Sequence, residues 1–287
     1  MNDFIVNSAA KMSFVGSREI IQEKWGDEMS YKIAFFDIDG TLVNEEKVIP
    51  QDTIDAIAEM KEKGIEPVIA TGRAPYFLQS LLEEVGIESY VCLNGALAVY
   101  KGEVIYRNPI APSTLATLVE KSKIHGHALC FEGESQYYTD HDGHEYMLES
   151  VGSLKVELPK VNANFWQEEP IYQMFLHTLA DEEHLYTSLE DSVTFIRWHE
   201  KALDVLPIGG SKAKGIEAML NQLNLKTEDA IAFGDNLNDK EMLEYVGFGI
   251  AMGNSHPDVI PYANFVTTHV DEKGIRNGLI EAGILDK

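Results

Sequence analysis

The stretch Phe35-Phe36-Asp37-Ile38-Asp39-Gly40-Thr41-Leu42 decides the fold of this chain. Residues 33–36 form a short apolar run bounded by polar residues, which predicts one buried β-strand. Asp37 and Asp39 follow at the strand end, and carboxylates two residues apart project to the same side of the chain. Gly40 permits a tight turn behind them, because it tolerates backbone angles that a side chain forbids.

Two carboxylates at one strand exit suit Mg²⁺ binding together with nucleophilic and acid–base chemistry on a phosphate. A plainer alternative for the octet by itself is a strand followed by an Asp-Gly turn, which is common turn chemistry. The rest of the chain separates these interpretations, because the same pattern recurs at other strand ends.

Length and composition describe an ordinary globular protein with a strong negative charge. The 287 residues are 45% hydrophobic and can bury one large or two medium domains. The net charge of −24 argues against nucleic acid or an anionic membrane as the main partner. No apolar run approaches the roughly 18 residues of a membrane span. Cys92 and Cys130 stand in apolar contexts without a disulfide or zinc pattern, which fits a reducing cytoplasm.

Three more short apolar runs end at polar residues in the same way. They are Pro67–Ala70 before Thr71-Gly72-Arg73, Tyr90–Leu93 before Asn94-Gly95, and Ala230–Phe233 before Gly234-Asp235. Strands that alternate with helical patterns predict parallel βαβ units covered on both faces. Ligands bind beyond the carboxyl ends of such strands, so the four runs predict one shared site.

Together these segments resemble the motifs of the haloacid dehalogenase superfamily and, within it, the Cof-type phosphatases. The motifs are Asp37–Leu42, Thr71–Arg73, a lysine near position 212 and Gly234–Asp239, with Asn94-Gly95-Ala96 as the Cof-like addition. The resemblance runs from Tyr31 to the C-terminus and is weakest between residues 108 and 203. It implies an α/β fold, with a Rossmann-like parallel-sheet core and an inserted, mobile α/β cap domain. The usual activity of the family is Mg²⁺-dependent hydrolysis of phosphate esters.

The resemblance assigns chemistry to the acidic motif residues. Asp37 would attack phosphorus and form an aspartyl-phosphate, while Asp39 would protonate the leaving alkoxide and later accept a proton from water. Mg²⁺ would be held by the Asp37 carboxylate, the Asp39 main-chain carbonyl and Asp235. Asp239 resembles a residue that orients the lysine or a metal-bound water.

The resemblance also implies the phosphate contacts. Thr71 would donate its hydroxyl and Gly72 its amide to the phosphoryl oxygens at a helix N-terminus, and Asn238 resembles a further phosphate contact. Arg73 either grips substrate or pairs with nearby acids, and Asn94 either contacts substrate or belongs to an ordinary turn. No pair of the histidines between residues 125 and 199 has a convincing zinc spacing with a third ligand.

The segment Ser211-Lys212-Ala213-Lys214-Gly215 offers two candidates for the lysine motif. Family members usually show Ser-Lys-Gly or Asn-Lys-Gly, whereas here Ser precedes one lysine and Gly follows the other. A helix that begins near Ser211 places Lys212 in its first turn, and Lys214 lies about 200° further around. The spacing favours Lys212 as the residue that reaches the phosphate and Asp37.

Spacing also predicts where the cap is inserted. Thr71 follows Asp39 by 32 positions, but Lys212 follows Thr71 by 141, which is far more than a βαβ step needs. We expect the core to comprise residues 31–108 and 204–287, and the cap residues 109–203 with a helix near 182–189. Residues 1–30 are expected to be an N-terminal extension, which a start misassigned upstream of Met29, a cloned leader or a genuine arm would each explain.

These observations predict a cytoplasmic, Mg²⁺-dependent phosphatase that acts on small phosphorylated metabolites, with sugar phosphates as the expected class. A phosphotransferase or phosphomutase would share Asp37 and Asp39 but return the phosphoryl group to an acceptor. A non-catalytic regulatory or binding protein of the same fold is the other alternative, although its mark, loss of an essential motif residue, is absent. The sequence specifies neither the physiological substrate nor the oligomeric state.

Overall fold

The computed structural model describes residues 31–287, and the extension predicted for residues 1–30 lies outside the described residues. The strands of this part of the chain are β1 (Ile33–Phe36), β2 (Glu66–Ala70), β3 (Ser89–Cys92), β4 (Leu97–Tyr100), β5 (Glu103–Arg107), β6 (Ala128–Glu132), β7 (Tyr137–Thr139), β8 (Lys160–Val161), β9 (Gln173–His177), β10 (Val193–His199), β11 (Ala202–Pro207), β12 (Ala230–Gly234), β13 (Phe248–Ala251) and β14 (Phe265–Val266). Its α-helices are α1 (Gln51–Glu62), α2 (Gln79–Val85), α3 (Pro112–His125), α4 (Glu145–Ser153), α5 (Phe165–Glu168), α6 (Lys212–Leu223), α7 (Lys240–Tyr245) and α8 (Gly274–Glu281).

The core is an eight-stranded sheet with the order β14-β13-β12-β1-β2-β3-β4-β5. The six strands from β14 to β3 are parallel, and β4 and β5 extend the sheet in antiparallel fashion. Every residue of β1 is buried, because helices α6 and α7 pack on one face of the sheet and α1 and α8 on the other. The strand order reverses between β1 and β12, which is where open α/β sheets bind their ligands.

The cap is built on a second sheet with the order β10-β11-β9-β6-β7-β8. Its strands pair antiparallel except for β7 and β8. The inner face of this sheet packs on α3 through an apolar cluster that includes Leu118, Phe131, Met174 and Val205. The fold is therefore a parallel-sheet core with an inserted α/β cap, as the sequence predicts.

The chain enters the cap after β5 and leaves it after β11. Strand β11 pairs with both β9 and β10, so the cap sheet extends to Pro207, beyond the predicted limit at residue 203. The two sheets indicate that the chain returns from the cap to the core after Pro207. The limits of the two domains stay a prediction.

The helix predicted near 182–189 is present, and it is a 3₁₀ helix rather than an α-helix. The segment Ala180–Leu189 forms 3₁₀ turns, and its buried side chains Tyr186 and Leu189 are three positions apart, which is one turn of that helix. Within residues 31–287, none of the helices combines the length and the apolar character needed to cross a membrane.

Candidate active site

The carboxyl ends of three neighbouring parallel strands bring the predicted residues together. Asp37 follows β1, Thr71 follows β2, and Asp235 follows β12, and β1 lies between the other two strands. The main chain continues the pairing one residue further, because the Asp37 amide donates to the Phe233 carbonyl at 3.0 Å. Asp37 and Thr71 are both buried at this edge, with 6% and 2% exposure.

Lys212 stands at the first residue of α6 and lies between two acids. Its Nζ is 2.5 Å from Asp37 Oδ1 and 2.6 Å from Asp239 Oδ1, and its side chain is 1% exposed. Burial alone would lower the pKa of Lys212, but the contacts with Asp239 and Asp37 outweigh it and raise that pKa. The other candidate, Lys214, is exposed and pairs with Glu217 at 2.7 Å.

Three carboxylates form a compact cluster of oxygen donors at the same edge. One carboxylate oxygen from each of Asp37, Asp235 and Asp239 lies within 4.8 Å of the others. Burial, followed by the charge of Asp239, raises the pKa of Asp37 well above its usual range. The same two causes raise the pKa of Asp235 to about 6. The cluster is therefore short of positive charge despite Lys212, and its oxygen donors fit a hard divalent cation.

Asp239 is the most enclosed of the three acids. Its side chain is fully buried, and its Oδ2 accepts the backbone N–H groups of Asp235 and Asn236, each at 2.9 Å. Its Oδ1 is used by Lys212. Asp239 thereby fixes the loop after β12 and the lysine at once.

The Asp39 carboxylate does not join this cluster. It is held at the rim by Arg73, whose Nη2 lies 2.6 Å from Oδ1 and whose Nε lies 3.0 Å from Oδ2. Lys47 Nζ also reaches Asp39 Oδ1 at 2.6 Å. Burial would raise the pKa of Asp39, but the bonds from Arg73 and Lys47 outweigh it and lower that pKa. The side chain of Asp39 remains 42% exposed, so it faces the entrance of the site.

Lys47 was missed by the sequence reasoning. It lies in an exposed loop with φ of 63°, in the left-handed region, where its amide donates to the Asn44 carbonyl at 3.0 Å. A basic residue eight positions beyond Asp39 in a chain of net charge −24 is the signal that was available.

Gly40 is required by contact as well as by conformation. Its φ is +88°, and a Cβ at this position would lie 2.3 Å from Asp235 Oδ2. Next to it, Thr41 Oγ1 donates to Asp235 Oδ1 at 2.8 Å. The turn after β1 therefore sets the position of the Asp235 carboxylate.

The remaining predicted residues lie in the loops that follow β2, β3 and β12. Thr71 Oγ1 accepts the Arg73 amide at 3.2 Å, and Asn238 Nδ2 donates to Asn94 Oδ1 at 3.1 Å. The expected helix N-terminus at Gly72 is wrong. Pro75 opens a short 3₁₀ turn instead, and α2 begins only at Gln79.

Three polar side chains of the cap also reach this edge of the core, and the sequence reasoning missed all of them. Glu132, Gln173 and Asp204 are buried on β6, β9 and β11. The available signal was a polar residue inside an otherwise apolar strand, as in Leu203-Asp204-Val205. Asn94 contacts both Gln173 and Asp204.

A known protein family and several solved structures resemble this chain over most of its length. The haloacid dehalogenase-like hydrolase family matches residues 34–279. The Bacillus subtilis protein YkrA is 39% identical over 257 residues, which cover 90% of this chain and all of YkrA.

Two solved structures extend the comparison. A protein of Geobacillus kaustophilus HTA426 is 41% identical with a TM-score of 0.85, over 89% of this chain and 100% of that one. The sugar phosphatase BT4131, of subclass IIB, is 31% identical with a TM-score of 0.78, over 88% of this chain and 100% of that one. This chain belongs to the haloacid dehalogenase-like hydrolase family.

Proposed function

We propose that this chain is a cytoplasmic, Mg²⁺-dependent phosphatase of small phosphorylated metabolites, with sugar phosphates as the substrate class. The observation that carries the proposal is Asp37, a buried carboxylate 2.5 Å from Lys212 and beside two further acids. Similarity to the sugar phosphatase BT4131 supports the substrate class. The cytoplasmic location is supported by Cys92 and Cys130, which are both buried free thiols.

Asp37, Asp235 and the main-chain carbonyl of Asp39 would hold Mg²⁺. Asp239 is occupied by Lys212 and two amides, so it supports the site rather than supplying a metal ligand. When bound, Mg²⁺ supplies the positive charge that lets an anionic carboxylate approach an anionic phosphate.

Asp37 is the nucleophile of this proposal. Its free carboxylate oxygen forms a bond to phosphorus, and the bond from phosphorus to the ester oxygen breaks. Lys212 holds the other oxygen of Asp37 and so orients the attack. Water then attacks the aspartyl-phosphate, which releases inorganic phosphate and restores Asp37.

Asp39 serves as the acid and then as the base. It gives a proton to the leaving alkoxide and later takes one from the attacking water. Arg73 holds Asp39 in its ionised form, and an incoming phosphate competes for the guanidinium. We infer that substrate binding releases Asp39 from Arg73, so that its carboxylate takes up a proton from solvent and then gives that proton to the leaving alkoxide.

Thr71, Gly72, Lys212 and Asn238 would bind the phosphoryl oxygens. Thr71 and Gly72 follow β2 and Asn238 follows β12, so their donors approach the group from either side of Asp37. The cap would cover the group and exclude water during transfer.

The test is phosphate release from a panel of sugar phosphates and other small esters, with Mg²⁺ and with EDTA. We expect release that needs Mg²⁺ and is abolished by Asp37→Asn, whose amide is nearly isosteric but cannot attack. Phosphate release without added acceptor distinguishes a phosphatase from a phosphotransferase. Wild-type turnover in purified Asp37→Asn protein would refute the mechanism.

A further inference from the structure

A buried hydrogen-bond network joins the cap to the core beside the proposed phosphate site. Its cap members are Glu132, Gln173 and Asp204, and its core members are Asn94 and the Gly72 carbonyl. Each of the four side chains is at most 9% exposed. Hydrogen bonds in such surroundings are stronger than in water, and buried groups that lose their partners are costly.

Gln173 uses both ends of its amide to bridge the two domains. Its Nε2 donates to the Gly72 carbonyl at 3.3 Å and to Glu132 Oε2 at 2.7 Å. Its Oε1 accepts from Asn94 Nδ2 at 3.0 Å. One cap side chain therefore contacts the loop after β2 and the loop after β3 at once.

Asn94 extends this bridge toward the phosphate contacts. Its Nδ2 donates to Gln173 and to Asp204 Oδ2, the latter at 2.9 Å, and its Oδ1 accepts from Asn238 at 3.1 Å. Both amide hydrogens of Asn94 are thus used by the cap. The contact of Asn94 with substrate stays a prediction, and in this structure the Asn94 amide is engaged with the cap.

The burial of the two acids in the network, Glu132 and Asp204, depends on contact between the cap and the core. Burial raises the pKa of Glu132 to about 8, and the charge of Asp204 adds to that shift. Burial likewise raises the pKa of Asp204 to about 8, against the hydrogen bond from Asn94. The bonds from Asn94 to Asp204 and to Gln173 exist only while the cap lies against the core, so the network is complete only in that state.

We propose that Gln173 is a positioning residue that ties the cap to the core over the active site, and that Asn94 connects this tie to the phosphate contacts. The proposal rests on the proposed function for the identity of the phosphate site. Because Gly72 and Asn238 belong both to the tie and to that site, phosphate binding and cap closure are coupled, and we expect each to stabilise the other.

Cys92 provides a natural reporter of the tie. Its thiol is buried at the end of β3, and its pKa is raised first by burial and then by Glu132 and Glu134 of the cap. Cys130 is buried inside the cap, among Met147, Val151 and Phe175. A thiol reagent followed by mass spectrometry therefore measures opening at Cys92, and circular dichroism of the same sample shows whether the protein remains folded.

The experiment compares labelling of wild type, Gln173→Leu and Gln136→Leu, each with and without inorganic phosphate and Mg²⁺. Gln136 is the matched control, because its amide donates to a carboxylate of the cap itself, Glu169, at 3.4 Å. We expect the reagent to label Cys92 about tenfold faster in Gln173→Leu than in wild type, because the variant loses buried hydrogen bonds between cap and core. Phosphate should slow Cys92 labelling at least about fivefold in wild type and much less in this variant. Gln136→Leu should behave as wild type.

Equal Cys92 labelling in wild type and Gln173→Leu, or an equal effect of Gln136→Leu, would overturn the proposal. Should the leucine variant lose the circular dichroism of the wild type, it is unfolding, and Gln173→Met is measured in its place with the same expectations. Activity assays separate the two claims. A wild-type protein that releases phosphate from no ester defeats the proposed function, whereas labelling without phosphate still decides whether Gln173 ties the cap.

Discussion

At the scale of single residues, the candidate site contains buried charges that are stable only because they are paired with one another. Lys212 is buried with Asp37 and Asp239, and burying an ion pair is favourable only when each charge keeps its partner. Removing the lysine leaves two acids that repel one another in a site already short of positive charge. Lys214, two positions later, makes only an exposed pair with Glu217.

Lys212→Ala should therefore lower turnover by about 100-fold or more, as loss of a preorganised charge does. Lys214→Ala should leave turnover within about twofold of wild type, because exposed ion pairs contribute little. Steady-state phosphate release by the two purified variants tests the assignment, and the opposite order of effects would refute it.

Gly40 offers a second test at this scale, with Gly64 as its control. Both glycines have positive φ, +88° and +85°, but a Cβ at Gly64 would contact nothing within 4 Å. Gly64→Ala measures the conformational penalty alone, about 1 kcal/mol of the free energy of unfolding. Gly40→Ala should in addition displace Asp235 and raise the Mg²⁺ concentration needed for half-maximal activity. Equal Mg²⁺ dependence in the two variants would contradict the role of the turn.

At the scale of elements, the sequence was sufficient to place a residue wherever its position follows from the end of a strand. The apolar run of β1 and the residues after it locate Asp37, and helical spacing distinguishes Lys212 from Lys214. The contacts of Gln173 and Asp204 could not be predicted, because they join strands of the cap to core loops that are 79 and 110 positions away in the chain. The sequence predicted a helix in the segment Ala180–Leu189 but not its 3₁₀ type, because acids fit the start of either kind of helix.

Asp204 on strand β11 should make the stability of the folded protein depend on pH. The pKa of Asp204 is raised by burial to about 8, so the folded protein retains a proton that the unfolded chain releases near its ordinary pKa. Its favourable contribution is full below about pH 4 and is lost as the pH rises to 8. Asp204→Asn should therefore gain stability over wild type as the pH rises, by about 2–4 °C in Tm at pH 8.

Thermal unfolding of wild type and Asp204→Asn at several values from pH 5 to 9 measures this difference. Asp191→Asn, which removes an exposed acid of the cap, is the control and should change Tm equally at every pH. A constant difference between Asp204→Asn and wild type across this range would mean that Asp204 titrates normally in the folded protein.

At the scale of the whole molecule, the negative charge acts on every part of the fold. The chain carries 47 acidic and 23 basic side chains, so the compact state suffers net repulsion that an expanded chain relieves. Salt screens this repulsion over distances of about 8–10 Å at ordinary ionic strength. The cations Arg73, Lys47 and Lys212 lie beside the proposed phosphate site, where each pairs with a carboxylate.

Raising NaCl from about 10 to 150 mM should increase Tm by about 2–5 °C in metal-free buffer with EDTA, because the Debye length falls from about 30 to 8 Å. The same ionic strength of KCl should give the same increase, since screening does not depend on the cation. A Tm that is constant or falls with salt would show that favourable ion pairs outweigh the net repulsion.

The contact between Gly95 and Ser211 limits how the two domains can move. A Cβ at Gly95 would lie 2.0 Å from the Ser211 carbonyl oxygen, so the loop after β3 and the start of α6 are packed main chain against main chain. Ser211 directly precedes Lys212, and this packing keeps the lysine with the core. Movement of the cap on this side requires the backbone dihedral angles to change between Pro207 and Ser211, where Gly209 already has a φ of +66°. A hinge on this side would thus be three residues long, and Lys212 would lie on its core side.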